Sequence, residues 1–360
     1  MMRLPRILAM VALLATACAA PEDVRTPIPA ATVIAATRPP AATLEPSPAP
    51  TATPRPSERA TLSLTLRTAP LPPGSQPHDV APAADGGVWY TGQGNGTLGW
   101  FDPETDEVRE VPLGAGSAPH GVITGPDGAA WVTDSGLNAI VRVDADTLEV
   151  TTFPVEPPNA NLNTATFDGD GILWFTGQAG IYGRLDPQTG ELVTYAAPRG
   201  TGPYGIATTP EGEVVFSSLA GSYLGLIDRA SGEVTAVDTP TPGGGARRVW
   251  SDSAGRLWVT EWFAGMLAMY DPASEDWTEW RLPGENPQPY AVYVDETDAV
   301  WVTDFGANAL LRFDATTQEW TSLPHDASPA NVRQLLGRPG EVWGVESAAD
   351  SILVVRHSGG

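Results

Sequence analysis

The stretch Ser117–Asp134, SAPHGVITGPDGAAWVTD, decides the fold. A Pro-His pair opens a short apolar run, Gly-Pro-Asp-Gly makes a turn, and a second run carries Trp131 and ends at Asp134. Asp-Gly between two apolar runs is a tight-hairpin signal. Such a hairpin returns His120 and Asp134 to the same open end. The pair is either the start of an active site or one copy of a repeating unit.

The rest of the chain answers that it is first a repeat. Counterparts begin at SQPHDVAPAADGGVWYTG, NLNTATFDGDGILWFTG, GPYGIATTPEGEVVFSS, GARRVWSDSAGRLWVTE, QPYAVYVDETDAVWVTD and PANVRQLLGRPGEVWGVE. Trp89, Trp131, Trp174, Val215, Trp258, Trp301 and Trp343 mark one position, and the steps between them are 41 to 43 residues. A fixed period of this length signals stacked supersecondary units. Each unit reads as four short antiparallel strands, so the expected fold is all-β: a seven-bladed β-propeller of four-stranded blades. The last unit stops after its third strand, and ATLSLTLRTAPLP near the other end supplies a fourth, closing the ring. The aspartates that end the third strands, Asp102 to Asp314, are expected to form turns, and the tryptophans to pack between blades.

Composition limits the function. Gly and Pro make up roughly one residue in five, and the formal net charge is −23, with arginine the only strong base and no lysine. So acidic a chain repels phosphate backbones, which argues against nucleic acid as a partner. The single cysteine, Cys18, rules out an intramolecular disulfide and a cysteine-based metal site. It follows MMRLPRILAMVALLATA, two arginines and an apolar run too short to span a bilayer, which reads as an export signal over 1–18. Ala15-Thr16-Ala17-Cys18 resembles a bacterial lipoprotein signal, whose cysteine is acylated, although Ala15 stands where leucine is usual. Residues 19–59 are rich in Pro, Ala and Thr and cannot bury enough apolar surface to fold. They read as a tether reaching up to about 100 Å in a polyproline-like state, with the propeller occupying 60–360. The expected location is therefore outside the cytoplasm, with membrane contact only through a lipid on Cys18, or secretion without one.

The unit PHGVITGPDGAAWVTDSGLNAIVRVD resembles the repeat of the streptogramin B lyase (virginiamycin B lyase) family, over nearly all the chain beyond the tether. The resemblance implies opening of cyclic depsipeptides by elimination across an ester. A divalent metal polarises the carbonyl and a base removes the neighbouring carbon-bound proton. In that family a histidine opens one blade, Glu-Pro-His opens the next, and a glutamate ends its Trp strand. Here Tyr290 takes the first histidine position, and Ser328 and Ala330 replace the triplet's Glu and His. Glu346 falls one place before the last glutamate. The first two repeats come closer, with His78, His120 and Asp134, but Ala118 replaces the glutamate.

Blade geometry gives a second route to the site. Strand-one starts and strand-two ends share one face near the central channel. The starts are His78, His120, Asn163, Tyr204, Arg247, Tyr290 and, by alignment, Asn331. Carboxylates at the ends, Glu261, Asp304, Glu346 and Asp134, form an arc with the two histidines. What the resemblance implies makes His78 and His120 the catalytic candidates. Asp134, Glu346, Glu261 and Asp304 are candidate ligands for Mg or Ca. Arg247 suits an anionic group, Trp262 and Phe305 suit a ring, and Tyr290, Tyr204 and Asn163 complete a ligand site.

Three functions remain open. The first and favoured one is an extracytoplasmic, monomeric binding module that holds a small molecule or a cell-surface protein on its channel face. The second is a metal-dependent carbon–oxygen lyase with an altered residue set. The third is a sugar-lactone hydrolase, by analogy of fold alone.

Overall fold

The computed structural model describes residues 62–358; the expected signal, tether and acylation site Cys18 lie outside the described residues. Among these residues, 28 strands form seven four-stranded antiparallel sheets and no helix. Six blades run in chain order, from Pro77–Pro112 in blade 1 to Pro289–Pro324 in blade 6. Blade 7 combines Val332–Arg338, Glu341–Glu346 and Ser351–Ser358 with the N-terminal strand Ser63–Pro70. That strand pairs antiparallel with the C-terminal one from Ser63↔Ser358 to Pro70↔Ser351. The opening strands of neighbouring blades touch all the way round, including blade 7 against blade 1, so the ring is closed.

In the second strands of blades 1 to 6 every residue is buried, as in Ala130–Asp134 and Val300–Asp304, because both faces meet a neighbouring blade. The marker tryptophans fill these inter-blade layers: Trp131, Trp174, Trp258, Trp301 and Trp343 are fully buried. Their indole N–H groups remain satisfied, since Trp174 donates to Asp168 at 2.8 Å and Trp258 to Asp252 at 2.9 Å. The third-strand aspartates cap their turns as expected. Asp144 accepts from the Asp146 and Thr147 amides, and Asp228 from those of Ala230 and Ser231.

One irregularity positions everything at the channel. Each opening strand carries a register shift just after its first residue, as between Pro77 and Val80 or Ala246 and Val249. An extra residue on one strand re-aims the neighbouring side chains. Here it turns two consecutive residues toward the axis of the ring. Buried hydroxyls hold the bulges across blade boundaries. Thr91 donates to the His120 carbonyl, Ser217 to Arg247 and Thr260 to Tyr290, at 2.9, 2.8 and 2.9 Å.

Candidate channel site

The bulges place His78, Asp79, His120, Asn163, Tyr204, Arg248 and Tyr290 in the channel, all buried. The strand register corrects the expected seventh position. Val332 pairs with Glu346 as Pro289 pairs with Asp304, so Arg333 rather than Asn331 faces the channel. The same register puts Glu346 level with the other strand ends.

At the centre, Arg248 of blade 5 reaches across the ring to blade 1. Its Nη2 donates to Asp79 at 3.2 and 3.5 Å, and Nη1 donates to the Thr164 hydroxyl at 2.7 Å. Asp79 also accepts from His78 Nδ1 at 2.8 Å. The His78 and His120 rings lie 3.7 Å apart between centroids. His120 Nε2 accepts from the Asn163 amide at 3.2 Å, leaving a buried Nδ1 without a partner. Burial pushes the His78 imidazole well below its ordinary value, and Arg248, Arg333 and Arg247 push it further. Burial and then His78 do the same to His120. Both rings are neutral at pH 7. Burial disfavours the Arg248 charge, but Asp79 more than compensates and holds it protonated.

Above this layer lies a half-buried box of arginine and aromatic rings. The Arg247 guanidinium sits 3.6 Å from the Tyr290 ring centroid and 4.6 Å from those of Tyr204 and Trp262. Its Nη2 donates to the Tyr204 hydroxyl at 2.9 Å, and the Tyr204 and Tyr290 hydroxyls bond to each other. Phe305 stacks on Tyr290 at 4.7 Å, with Arg333 about 6 Å from both rings. Burial opposes ionisation of Tyr290, yet Arg247 and Arg248 bring its phenol below the normal value. The far mouth is different in kind: an apolar recess of about 310 Å³ lined by residues such as Phe167, Trp250 and Tyr293.

The expected arc of metal-binding carboxylates is not assembled here. Among the described residues, the one group of three ligand-type side chains with atoms within 4.8 Å of one another is His78, Asp79 and His120. Asp134 instead caps its own loop, accepting from the Ser117 hydroxyl at 2.5 Å and from the Ala118 and Leu137 amides at 3.0 and 2.9 Å. Asp304 accepts from the Gln288 and Gly306 amides. Glu346 accepts from Ser351 and lies 3.3 Å from His325. The His78–Asp79–His120 group does not suit a divalent cation. Asp79 is already held by Arg248, the Asn163 amide occupies His120 Nε2, and three guanidinium groups add positive charge nearby. Sequence reading missed Asp79 and Thr164 because it counted one inward residue per blade, and Arg333 because it set the start of blade 7 at Asn331. The dipeptides His-Asp, Asn-Thr and Arg-Arg at matching places in the repeats were the signal.

Comparison with known proteins agrees with the architecture. Residues 106–360 match the virginiamycin B lyase family. The chain belongs to that family. Virginiamycin B lyase from Staphylococcus aureus superposes with a TM-score of 0.76 at 20% identity, covering 82% of this chain and 99% of that one. A streptogramin B lyase structure gives 0.75 at 20%, covering 82% and 98%. YCF48 bound to D1 peptide gives 0.63 at 18%, covering 81% and 96%. At these identities the likeness is one of fold. No curated protein sequence matches the chain.

Proposed function

We propose that the channel face binds a small anionic ligand bearing an aromatic or apolar ring, on a propeller that Cys18 anchors outside the cytoplasm. One observation carries this reading. Arg247, Arg248 and Arg333 all bear on the buried His78 imidazole beside Asp79, in a chain whose formal charge is −23. Arg248 is neutralised by Asp79, so Arg247 and Arg333 remain as the half-exposed cations, beside Trp262 and Phe305. A carboxylate or phosphate meets the guanidinium groups, and the ring lies against the aromatic side chains.

A second reading, carbon–oxygen elimination, has a specific feature in its favour. His78 Nδ1 donates to Asp79, which fixes the tautomer with Nε2 as the basic nitrogen. The side chains of His78 and His120 are nearly closed off from solvent, however, and the more accessible groups are those of a binding site.

The test is calorimetric titration of the full chain with aromatic carboxylates and phosphates, alongside incubation with a cyclic depsipeptide of the streptogramin B type. Binding is expected to weaken with salt. It should also weaken roughly 10- to 100-fold in Arg247→Ala, corresponding to the loss of about 1.5–3 kcal/mol from a charge-assisted hydrogen bond. Binding that Arg247→Ala and Arg333→Ala leave intact sinks the proposal. Ring opening lost in His78→Ala replaces it with the lyase. In the same preparations, Cys18→Ala is expected to move the chain from the membrane to the soluble fraction.

A further inference from the structure

Four strand ends carry a carboxylate, and three are answered by donors. Asp134 has a hydroxyl and two amides, Asp304 has two amides, and Glu346 has Ser351 and His325. Glu261 is the exception. It is fully buried, and neither carboxylate oxygen accepts a hydrogen bond. What faces it, within hydrogen-bonding reach, is another carboxyl, Glu279, from the outermost strand of the same blade. Residues 259 and 261 share one face of their strand. Val259, Ala268 and Glu279 line up across the blade, with the small Ala268 on the strand between those that carry Glu261 and Glu279.

The hydroxyls of Thr239 and Thr241 lie beside the pair and help hold the Glu261 carboxyl down against its burial. Thr241 Oγ1 donates to Glu279 Oε1 at 2.8 Å, and Thr239 Oγ1 donates to the Ser222 carbonyl at 3.2 Å. Each hydroxyl oxygen also keeps lone pairs that a cation can use. A glycine-rich loop covers the pair: a Cβ on Gly244 would come 2.9 Å from both Glu261 Oε1 and the Thr241 carbonyl oxygen. Buried acceptors without donors call for a positive charge.

We propose that Glu261 and Glu279 bind a divalent cation of the hard, oxygen-preferring class, with Thr239 and Thr241 supplying neutral oxygens. Calcium matches best, because it accepts irregular sets of roughly six to eight oxygens, whereas magnesium demands a near-ideal octahedron. This site is built from different side chains than the arginine-rich mouth and does not depend on the ligand proposed there. Both ligands are carboxyls, which bind a cation only when ionised. Cation and proton therefore compete, and affinity rises with pH.

The experiment is thermal unfolding of the full chain in EDTA, calcium or magnesium at pH 8 and pH 6, with equilibrium dialysis of calcium on the wild type. The expected result is a calcium-dependent rise in Tm at pH 8, with one calcium bound per chain. Affinity should weaken by up to about tenfold for each pH unit lowered. The rise should vanish in Glu279→Gln and survive in His120→Asn. In EDTA, Glu279→Gln should melt above the wild type. If no cation binds at pH 8 while Glu279→Gln still raises Tm in EDTA, the pair holds only a proton and the proposal fails. A calcium response that persists in Glu279→Gln places the ion elsewhere and also overturns it. The dialysis result stands even if the variant folds poorly.

Discussion

Single side chains in the channel set how stability responds to acid. His78 and His120 are depressed well below their ordinary value of 6.5 by burial, with arginines acting on the first and His78 on the second. The unfolded chain takes up protons below about 6.5 while the folded chain refuses them, so their stabilisation is present above that pH and lost below it. Glu261, raised to about 8, acts in the opposite sense when no cation is bound, gaining stability as the pH falls from there. The histidine contribution is therefore read as a difference. Between pH 6.5 and 5, unfolding free energy should fall more steeply in the wild type than in His78→Gln, by up to about 1.4 kcal/mol per pH unit. Identical slopes in denaturant titrations would show that the His78 ring does not resist protonation in the fold.

At the scale of elements, the bulge and the hydroxyl behind it form one device. Thr260 accepts from the Arg248 amide at 3.1 Å and donates to the Tyr290 carbonyl of the next blade at 2.9 Å. It thus fixes two channel residues from beneath. Thr260→Val keeps the shape but leaves two buried backbone groups unpaired. The expected cost is about 2–4 kcal/mol in urea unfolding, with weaker binding at the arginine-rich mouth. A change below about 0.5 kcal/mol would mean that the bulge holds itself. This device also marks how far the sequence could be read. Hairpins, blades and closure were legible because Trp and Asp-Gly recur at a fixed period and a strand pattern needs only local rules. The bulge was not, because a one-residue register shift leaves no periodic trace. Hence Asp79 was overlooked, while Asp134, picked for its place beside His120, proves to bind its own loop. The signal that survives is a hydroxyl at the penultimate position of the second strand, Thr91, Thr133, Thr176, Ser217, Thr260 and Thr303.

For the whole molecule, everything rests on closure of the ring, because the channel site draws residues from all seven blades and Asp79 meets Arg248 only when blades 1 and 5 hold their places. Closure depends on a strand of eight residues, Ser63–Pro70, from the opposite end of the chain. Leu64 and Leu66 from this strand pack on the buried Val342, Leu353 and Val355 cluster of blade 7, and Ala69 packs beside Trp343. A chain beginning at Leu71 leaves the Ser351–Ser358 strand as an unpaired apolar edge, a template for edge-to-edge association. Burying the equivalent of two large aliphatic side chains is worth on the order of 4 kcal/mol. The shortened chain should therefore melt well below the full one and form concentration-dependent aggregates in light scattering. Adding the peptide Thr61–Pro72 in trans should restore part of the lost Tm, because it supplies the same backbone pairs without the covalent link. A shortened chain that melts with the wild type, with or without the peptide, would show that the ring is held by the inter-blade tryptophan layers alone.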